Sequence, residues 1–437
     1  MSTAGAKKTG GDEGTALTLR SLHPNIRLRL GVGFVQRLLS VMLMPLLVIH
    51  LAGLYGAVVA GALTVCVAAA GIAANFLGGH LADVHGRRPV MVAGELGATL
   101  TFALLALANS PWWSSGPATF GLFLLNTCCA QLATPAADAM MVDVSTPENR
   151  PLVYTINYWS INLAFTAGAL VGGFLYDGHF LQLLTGAAVL CLLTTAVMWR
   201  WISETAPPGT GAPGTSGPAA MVRGYLAVAR DRVFLQQLAA AALIAAVEMQ
   251  IGYYIAVRLA DEFPRQTLLT LGSFGLDVDG TAILGVLRAV NAALVVALIL
   301  AAKTLLGRVG ERTRLYGGIT VFIVGYMIWA VSNSGPVLIA AAVLLTVGEI
   351  ASVPVRQALL ADLIDPEART KYMAAYALNA RVGLLVAALC VTLGAFVPAV
   401  GMSLLYATAG VAALLLYRSI LGVRTAREAE TNLVKAA

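Results

Sequence analysis

Charge is the scarcest thing in this chain. Asp, Glu, Lys and Arg make up 11% of its 437 residues, against about 25% in a soluble globular protein. A water-soluble domain with so little charge would expose large apolar patches; a bilayer is the solvent that fits. Cysteine is also sparse. The five Cys (Cys66, Cys128, Cys129, Cys191, Cys390) all lie in apolar runs, with no CxxC and no Cys/His spacing. That argues against a disulfide framework and against a metal site. The five His are scattered at the ends of apolar runs or in the N-terminal tail. No HExxH, G-x-S-x-G or P-loop occurs, so neither enzyme chemistry nor ATP drive has support. We expect no enzyme, no cofactor and no metal. No basic block points to nucleic acid.

What the chain has is hydrophobicity: 58% of residues, with a mean hydropathy of +0.80. Apolar stretches fall near 28–52, 56–81, 89–110, 117–142, 151–176, 179–202, 232–260, 281–306, 314–334, 336–361, 370–395 and 397–420. Each is long enough for the roughly 20 residues that a membrane span needs. Helix is the open option, because backbone groups in lipid must be satisfied inside the segment.

Positive charge alternates by side. One set of connections holds Arg87 and Arg88; Arg150; Arg200, Arg223, Arg230 and Arg232; Lys303, Arg308, Arg312 and Arg314; Arg369 and Lys371. The other set holds only Arg258 and Arg265. The positive-inside rule puts the rich set and both termini in the cytoplasm. Residues 1–27 are expected to be a cytoplasmic tail, 28–202 a six-helix bundle, 203–231 a cytoplasmic linker, 232–420 a second six-helix bundle and 421–437 a second tail. The linker begins SETAPPGTGAPGTSGPAAM, a composition of flexible connections.

The halves share a repeat. PAADAMMVDVSTPENR (135–150) aligns without a gap on PVRQALLADLIDPEAR (354–369). Pro135 meets Pro354, Asp143 meets Asp362, and Arg150 meets Arg369. Two six-span halves in parallel repeat imply a carrier with its site at the midplane between them.

Between the second and third stretches lies GGHLADVHGRRPV (78–90). Glycines let two helix ends approach around a tight turn. Asp83 closes the second stretch, where a positive helix end or an Arg can meet it. The run Gly79-His80-Leu81-Ala82-Asp83-Val84-His85-Gly86-Arg87-Arg88 resembles the G-x-L-A-D-x-x-G-R-(R/K) loop signature of the major facilitator superfamily. Beyond that, Asn25–Gly31, AMMVDVSTPENR with Tyr158-Trp159 after it, and VGEIASVP (347–354) are similar to the drug:proton antiporter branch. The resemblance implies an all-α membrane protein with twelve transmembrane helices in two halves. It also implies that the loop latches the halves, with Asp83 as a gate and Arg87 and Arg88 as partners or lipid-headgroup contacts. A loop that only sets topology is the alternative. In the fifth stretch, Gly168-Ala169-Leu170-Val171-Gly172-Gly173 departs from the G-P-x-x-G-G common in the branch: Ala169 stands for Pro.

A charge at the centre of a membrane helix costs about 2.5–3.5 kcal/mol on insertion scales. The embedded candidates are Arg37, Glu95, Asp138, Glu248, Arg288, Glu349, Arg356 and Arg381. Glu349 leads. Its apolar surroundings disfavour a bare charge, which suits a group that takes up and releases protons, and the resembled branch carries an acid there. Pairing with Arg356 or Arg381 as structural glue is the alternative. Glu248 is second, one helical turn from Gly252, where the resembled branch has its acid. Asp143 is either a proton site coupled to the gate or a cap opposite Arg150. Arg37, Gln36, Asp138, Tyr158, Asn162, Tyr253, Arg288, Arg356 and Arg381 are candidates for the substrate cavity. So many embedded arginines exceed what a pure cation exporter needs, so anionic, zwitterionic or lipid-like substrates stay open.

The expectation is a proton-driven exporter of amphipathic compounds, working by alternating access in a cell (inner) membrane. Its partners would be a small amphipathic substrate, protons and membrane lipids, with no nucleic acid, and it would act as a monomer. A translocator of lipid-like or anionic/zwitterionic molecules on the same fold is the alternative.

Overall fold

A chain confined to bilayer-spanning helices can reverse only where the backbone leaves helical geometry. Three such places carry glycine at positive φ: Gly56 (76°), Gly86 (94°) and Gly178 (77°), a conformation that a Cβ disfavours. The apolar segments Pro24–Ala82 and Leu152–Trp201 run 59 and 50 residues, well beyond one crossing of about 20. Gly56 breaks the first, and residues 177–179 break the second. Val32 and Ala82 then share one apolar cluster, which requires the first segment to fold back on itself.

The computed structural model describes residues 22–146, 149–205, 230–271, 274–306, 309–364 and 369–436. Its helices follow the twelve apolar stretches. They are α1 (24–55), α2 (57–85), α3 (Arg87–Ala108), α4 (Gly116–Asp143), α5 (150–176) and α6 (180–201). The second half has α7 (Arg232–Glu248, a 3-10 turn Met249–Gly252, then Tyr254–Glu262), α8 (Gly280–Leu306) and α9 (Glu311–Val331). It ends with α10 (Gly335–Leu363), α11 (Arg369–Tyr376 and Leu378–Leu393) and α12 (Ala399–Ala436). This is an all-α membrane fold. The N-terminal tail to residue 21, most of the linker (206–229), and residues 147–148 and 365–368 of the repeat lie outside the described residues.

Three features differ from the sequence expectation. The expected C-terminal tail is helical through Ala436, because RTAREAETNLVKA consists largely of good helix formers. Arg258 is not in a connection. It is 4% exposed inside α7, pairs with Glu262 at 3.0 Å and donates to the carbonyls of Trp329 and Ser332, each at 3.1 Å. The connection after α7 is a β-hairpin, β1 (Gln266–Leu271) with β2 (Phe274–Val278). Gln266 at its start accepts from the Gly335 amide at 2.9 Å, tying the hairpin to the start of α10.

We call the face bearing Pro24, Gly86 and Trp201 proximal, and the opposite face distal. The halves meet distally. A Cβ on Gly173 of α5 would lie 2.6 Å from the Thr281 carbonyl oxygen, and one on Gly285 of α8 would lie 2.5 Å from that of Ala169. Glycine on both sides of this crossing brings the two backbones together, as small residues do in membranes. Thr281 Oγ1 donates to the Gly173 carbonyl at 3.1 Å, and Thr392 Oγ1 on α11 donates to the Val58 carbonyl on α2, also at 3.1 Å. Proximal to this seam, Asp138, Tyr158 and Glu248 are exposed. The molecule is sealed on its distal side, with polar side chains uncovered between the seam and the proximal face.

The seam predicts the effect of bulk. Gly173→Leu should hold the distal ends of α5 and α8 apart, read as a longer and broader distance between spin labels placed at those ends. An unchanged distance distribution would mean that the seam has slack that the geometry denies.

Candidate functional site

Three groups of polar side chains stand out, and the first is at the Gly86 turn. Positive φ at Gly86 lets α3 begin at once at Arg87, which leaves the first N–H groups of α3 without helical partners. Glu204, just past α6, supplies acceptors: its carboxylate takes the Arg87 N–H at 3.1 Å and the Arg88 N–H at 2.9 Å. The side chain of Arg87 turns to α4. Its Nε lies 2.5 Å from Asp143 Oδ2, and its Nη2 lies 3.2 Å from Oδ1. Arg88 donates to the Trp199 carbonyl. So the arginines tie α3 to the ends of α4 and α6 within one half. Arg87 and the Thr205 hydroxyl, at 3.1 Å, are described partners of Asp143, because α3 and α4 end side by side there; the Arg150 side chain is outside the described ones. The Asp83 side chain is outside the described ones. Of the motif glycines, Gly79 has only an ordinary contact with Pro135, at 3.8 Å from an added Cβ. Gly78 makes the close approach: a Cβ there would lie 2.7 Å from the Leu132 carbonyl carbon. The α2–α4 crossing needs a glycine one position earlier than the motif suggested.

The second group is in the C-terminal half. Glu349 sits midway along α10. Its Oε2 accepts from Asn291 Nδ2 on α8 at 3.1 Å, and the same amide reaches Thr346 Oγ1 at 2.8 Å. Arg356, seven residues along α10 and on the same face, is within electrostatic reach of Glu349; Arg381 is not among the charges that act on it. No ion pair joins Glu349 to a described residue. Glu248, exposed at the end of the first α7 segment, is within electrostatic reach of Glu349, Arg356 and Arg288. A Cβ on Gly252 would touch Arg288 Nη2 at 3.1 Å, so position 252 borders the guanidinium that is within electrostatic reach of Glu248. Tyr326 donates its hydroxyl to the Glu248 carbonyl at 2.9 Å. From the other half, Tyr158 on α5 is 38% exposed and within electrostatic reach of Glu349.

Of the remaining expected cavity residues, one is buried in this form. Tyr253 is 4% exposed, packed with Val48, Ala387 and Val391, because the closed distal seam covers it. Asn162 donates to the Tyr158 carbonyl at 2.9 Å, one turn back along its own helix. Arg381 stands near the start of the second α11 segment and is half-buried.

The third group is one the sequence did not assemble. Glu95 on α3 is 4% exposed. Its Oε2 accepts from Gln36 Nε2 on α1 at 2.6 Å, and its Oε1 accepts from the Thr194 hydroxyl on α6. Gln36 and Glu95 border a cavity of about 350 Å³ between α1, α3, α4 and α6, which Arg29, Arg37 and Asp138 also line. Arg29 had no role in the sequence reading, although Arg at this depth of a span is itself a signal. The embedded charge of Glu95 was legible; its donors, 59 and 99 residues away, were not.

The comparisons follow the geometry. The chain matches the family described as Major Facilitator Superfamily over residues 30–388. It is 27% identical over 388 residues to a "Na(+), Li(+), K(+)/H(+) antiporter" of Planococcus maritimus, covering 87% of this chain and 92% of that one. It is also 27% identical over 310 residues to the "Multidrug resistance protein MdtH" of Yersinia pestis, covering 68% of each. Among solved structures, a POT family transporter in complex with a thioalcohol-conjugated peptide superposes with a TM-score of 0.71. That likeness covers 94% of this chain and 99% of that one, at 14% identity, and speaks for the fold alone.

The Glu95 arrangement gives a test. Gln36→Leu removes one donor to a buried carboxylate, at an expected cost of about 1–3 kcal/mol. In a cycle with Glu95→Gln, thermal unfolding should show the double variant less destabilised than the sum of the singles. Strict additivity would mean that the two side chains do not act on each other.

Proposed function

The chain belongs to the Major Facilitator Superfamily, and on that premise we propose that it exports small amphipathic compounds in exchange for protons. The observation that carries this reading is Glu349. It is a carboxylate at mid-span, bonded to the neutral amide of Asn291, with Tyr158 of the other half within electrostatic reach. A carboxylate held by a neutral donor can gain or lose a proton without stranding an ion-pair partner. Glu248 would be a second acid on the same wall. Asp143, paired with Arg87, would respond to movement at the proximal end, where the loop with Asp83 forms the gate. The proximal face is cytoplasmic on the arginine distribution, so the structure would be the cytoplasm-open form. Each proton charge moving down 100 mV supplies about 2.3 kcal/mol. The resemblance of AMMVDVSTPENR and VGEIASVP to the lactococcal multidrug transporter LmrP, and the similarity to MdtH, support an amphipathic cargo.

The relative from Planococcus maritimus favours a second reading, in which the cargo is a monovalent cation. The oxygens of Glu349 and Thr346 beside Asn291 are donors of the hard kind that such cations take.

One assay separates the two. Inverted vesicles with an inward-acid pH gradient should accumulate ethidium, and Glu349→Gln at equal expression should reduce the rate at least about tenfold, the equivalent of roughly 1.4 kcal/mol. A variant equal to an active wild type would move the proton role to Glu248 or Asp143. Dissipation of the gradient by sodium or potassium, without dye uptake, would establish the second reading instead.

A further inference from the structure

One cavity is built by the N-terminal half alone. All of its lining comes from α1, α3, α4 and α6. At about 350 Å³ it falls within the range of small-molecule sites, roughly 300–1,000 Å³. Its two ends differ in chemistry. Arg29 lies five residues into α1 and Asp138 five residues before the end of α4, so both mark the proximal end. Leu43, Leu47, Phe102 and Phe123 line the part nearer the distal face.

The charges at the polar end are unspent. Arg29 is 7% exposed, and its Nε and Nη1 are buried with no hydrogen-bond partner. A guanidinium presents its donors in a fixed fork that matches a carboxylate or phosphate, and buried donors left empty cost about 1–3 kcal/mol each. Arg37 lines the same space and makes no ion pair with a described residue. The acid that would be the obvious partner, Glu95, has both oxygens occupied by Gln36 and Thr194. Asp138 is exposed and within electrostatic reach of both guanidinia, yet bridges neither. The cavity thus offers an unfilled anion fork, a nearby free carboxylate and an apolar floor.

We propose that this cavity binds a small zwitterionic amphiphile, with its oxyanion on Arg29 and Arg37, its ammonium toward Asp138 and its apolar body toward Phe102 and Phe123. This rests on the exporter reading only in naming the cargo; binding is measurable without transport. Two guanidinia and two carboxylates leave the site formally neutral, so a lone cation or a lone anion would bring an uncompensated charge into it. A zwitterion would not.

The test uses norfloxacin, zwitterionic at neutral pH, and its methyl ester, which keeps the amine and lacks the carboxylate. Equilibrium binding to the purified full chain in lipid nanodiscs should favour norfloxacin by at least about tenfold, the step expected for one charge-assisted hydrogen bond. Arg29→Gln should bring that ratio down toward one, by weakening norfloxacin while the ester binds at least as tightly as to the wild type, and Arg29→Lys should fall between. Equal wild-type affinities, or binding of neither probe, would overturn the proposal and leave water as what satisfies Arg29. An Arg29→Gln variant that weakens both probes equally would also overturn it, marking Arg29 as structural. The exporter reading fails separately, by absence of proton-driven ethidium uptake in the vesicle assay.

Discussion

A polar group carried into the middle of a helical bundle has no water to turn to and must find its partner on a neighbouring helix. This requirement sorts the charges of the molecule into two kinds. At the span ends, arginine meets carboxylate: Arg87 with Asp143, Arg258 with Glu262. In the interior, the two best-held acids are bonded to neutral groups, Glu95 to Gln36 and Thr194, Glu349 to Asn291. The difference has a physical consequence. Neutralising one member of a buried ion pair strands the other at a cost of several kcal/mol, whereas an amide or a hydroxyl can face either form of the carboxyl group. Among the described residues the ion pairs thus stand at the span ends, while these two interior acids meet neutral partners.

The distal seam and the acidic cluster of the second half are joined through α8. Gly285 lies against the Ala169 carbonyl, and Arg288, less than one turn along, lines a small space under the same α5–α8 crossing. Arg288 is also the guanidinium beside Gly252 and within reach of Glu248. Separating α5 from α8 would therefore uncover Arg288 and change the surroundings of Glu248. In the proposed cycle that is a direct mechanical route between distal opening and the charge state of the site. It runs through contiguous packed groups, the kind of network that carries coupling between sites.

Much of the fold was legible because the bilayer imposes one rule on every span. Twelve apolar stretches became twelve helices, and the break at Gly86 follows from a motif whose glycine and charge only a turn explains. What was not legible depends on which helices become neighbours. Arg87 found Asp143 because α3 and α4 end side by side, and Glu204 caps α3 because α6 ends there too. The close-packed glycine is Gly78 rather than Gly79 because helix phase, and not motif position, decides which residue faces Leu132. Tyr253 looked like a cavity residue in a polar stretch, and the closed seam buries it. The β1–β2 hairpin was missed because its first strand, QTLLTL, has no strict alternation and was read as part of a connection between helices.

The charge arithmetic of the two halves bears on how the membrane potential would act. Arg29, Arg37, Glu95 and Asp138 stand around the N-terminal cavity; Glu248, Arg288, Glu349 and Arg356 interact in the C-terminal half. Each set holds two guanidinia and two carboxylates, so each is formally neutral when its acids are ionised. A set of charges that sums to zero does little work against the field as its bundle rocks, where one uncompensated charge costs about 2.3 kcal/mol per 100 mV. A zwitterionic cargo is neutral as well. In the proposed exchange, the net charge that crosses the field is then the proton's.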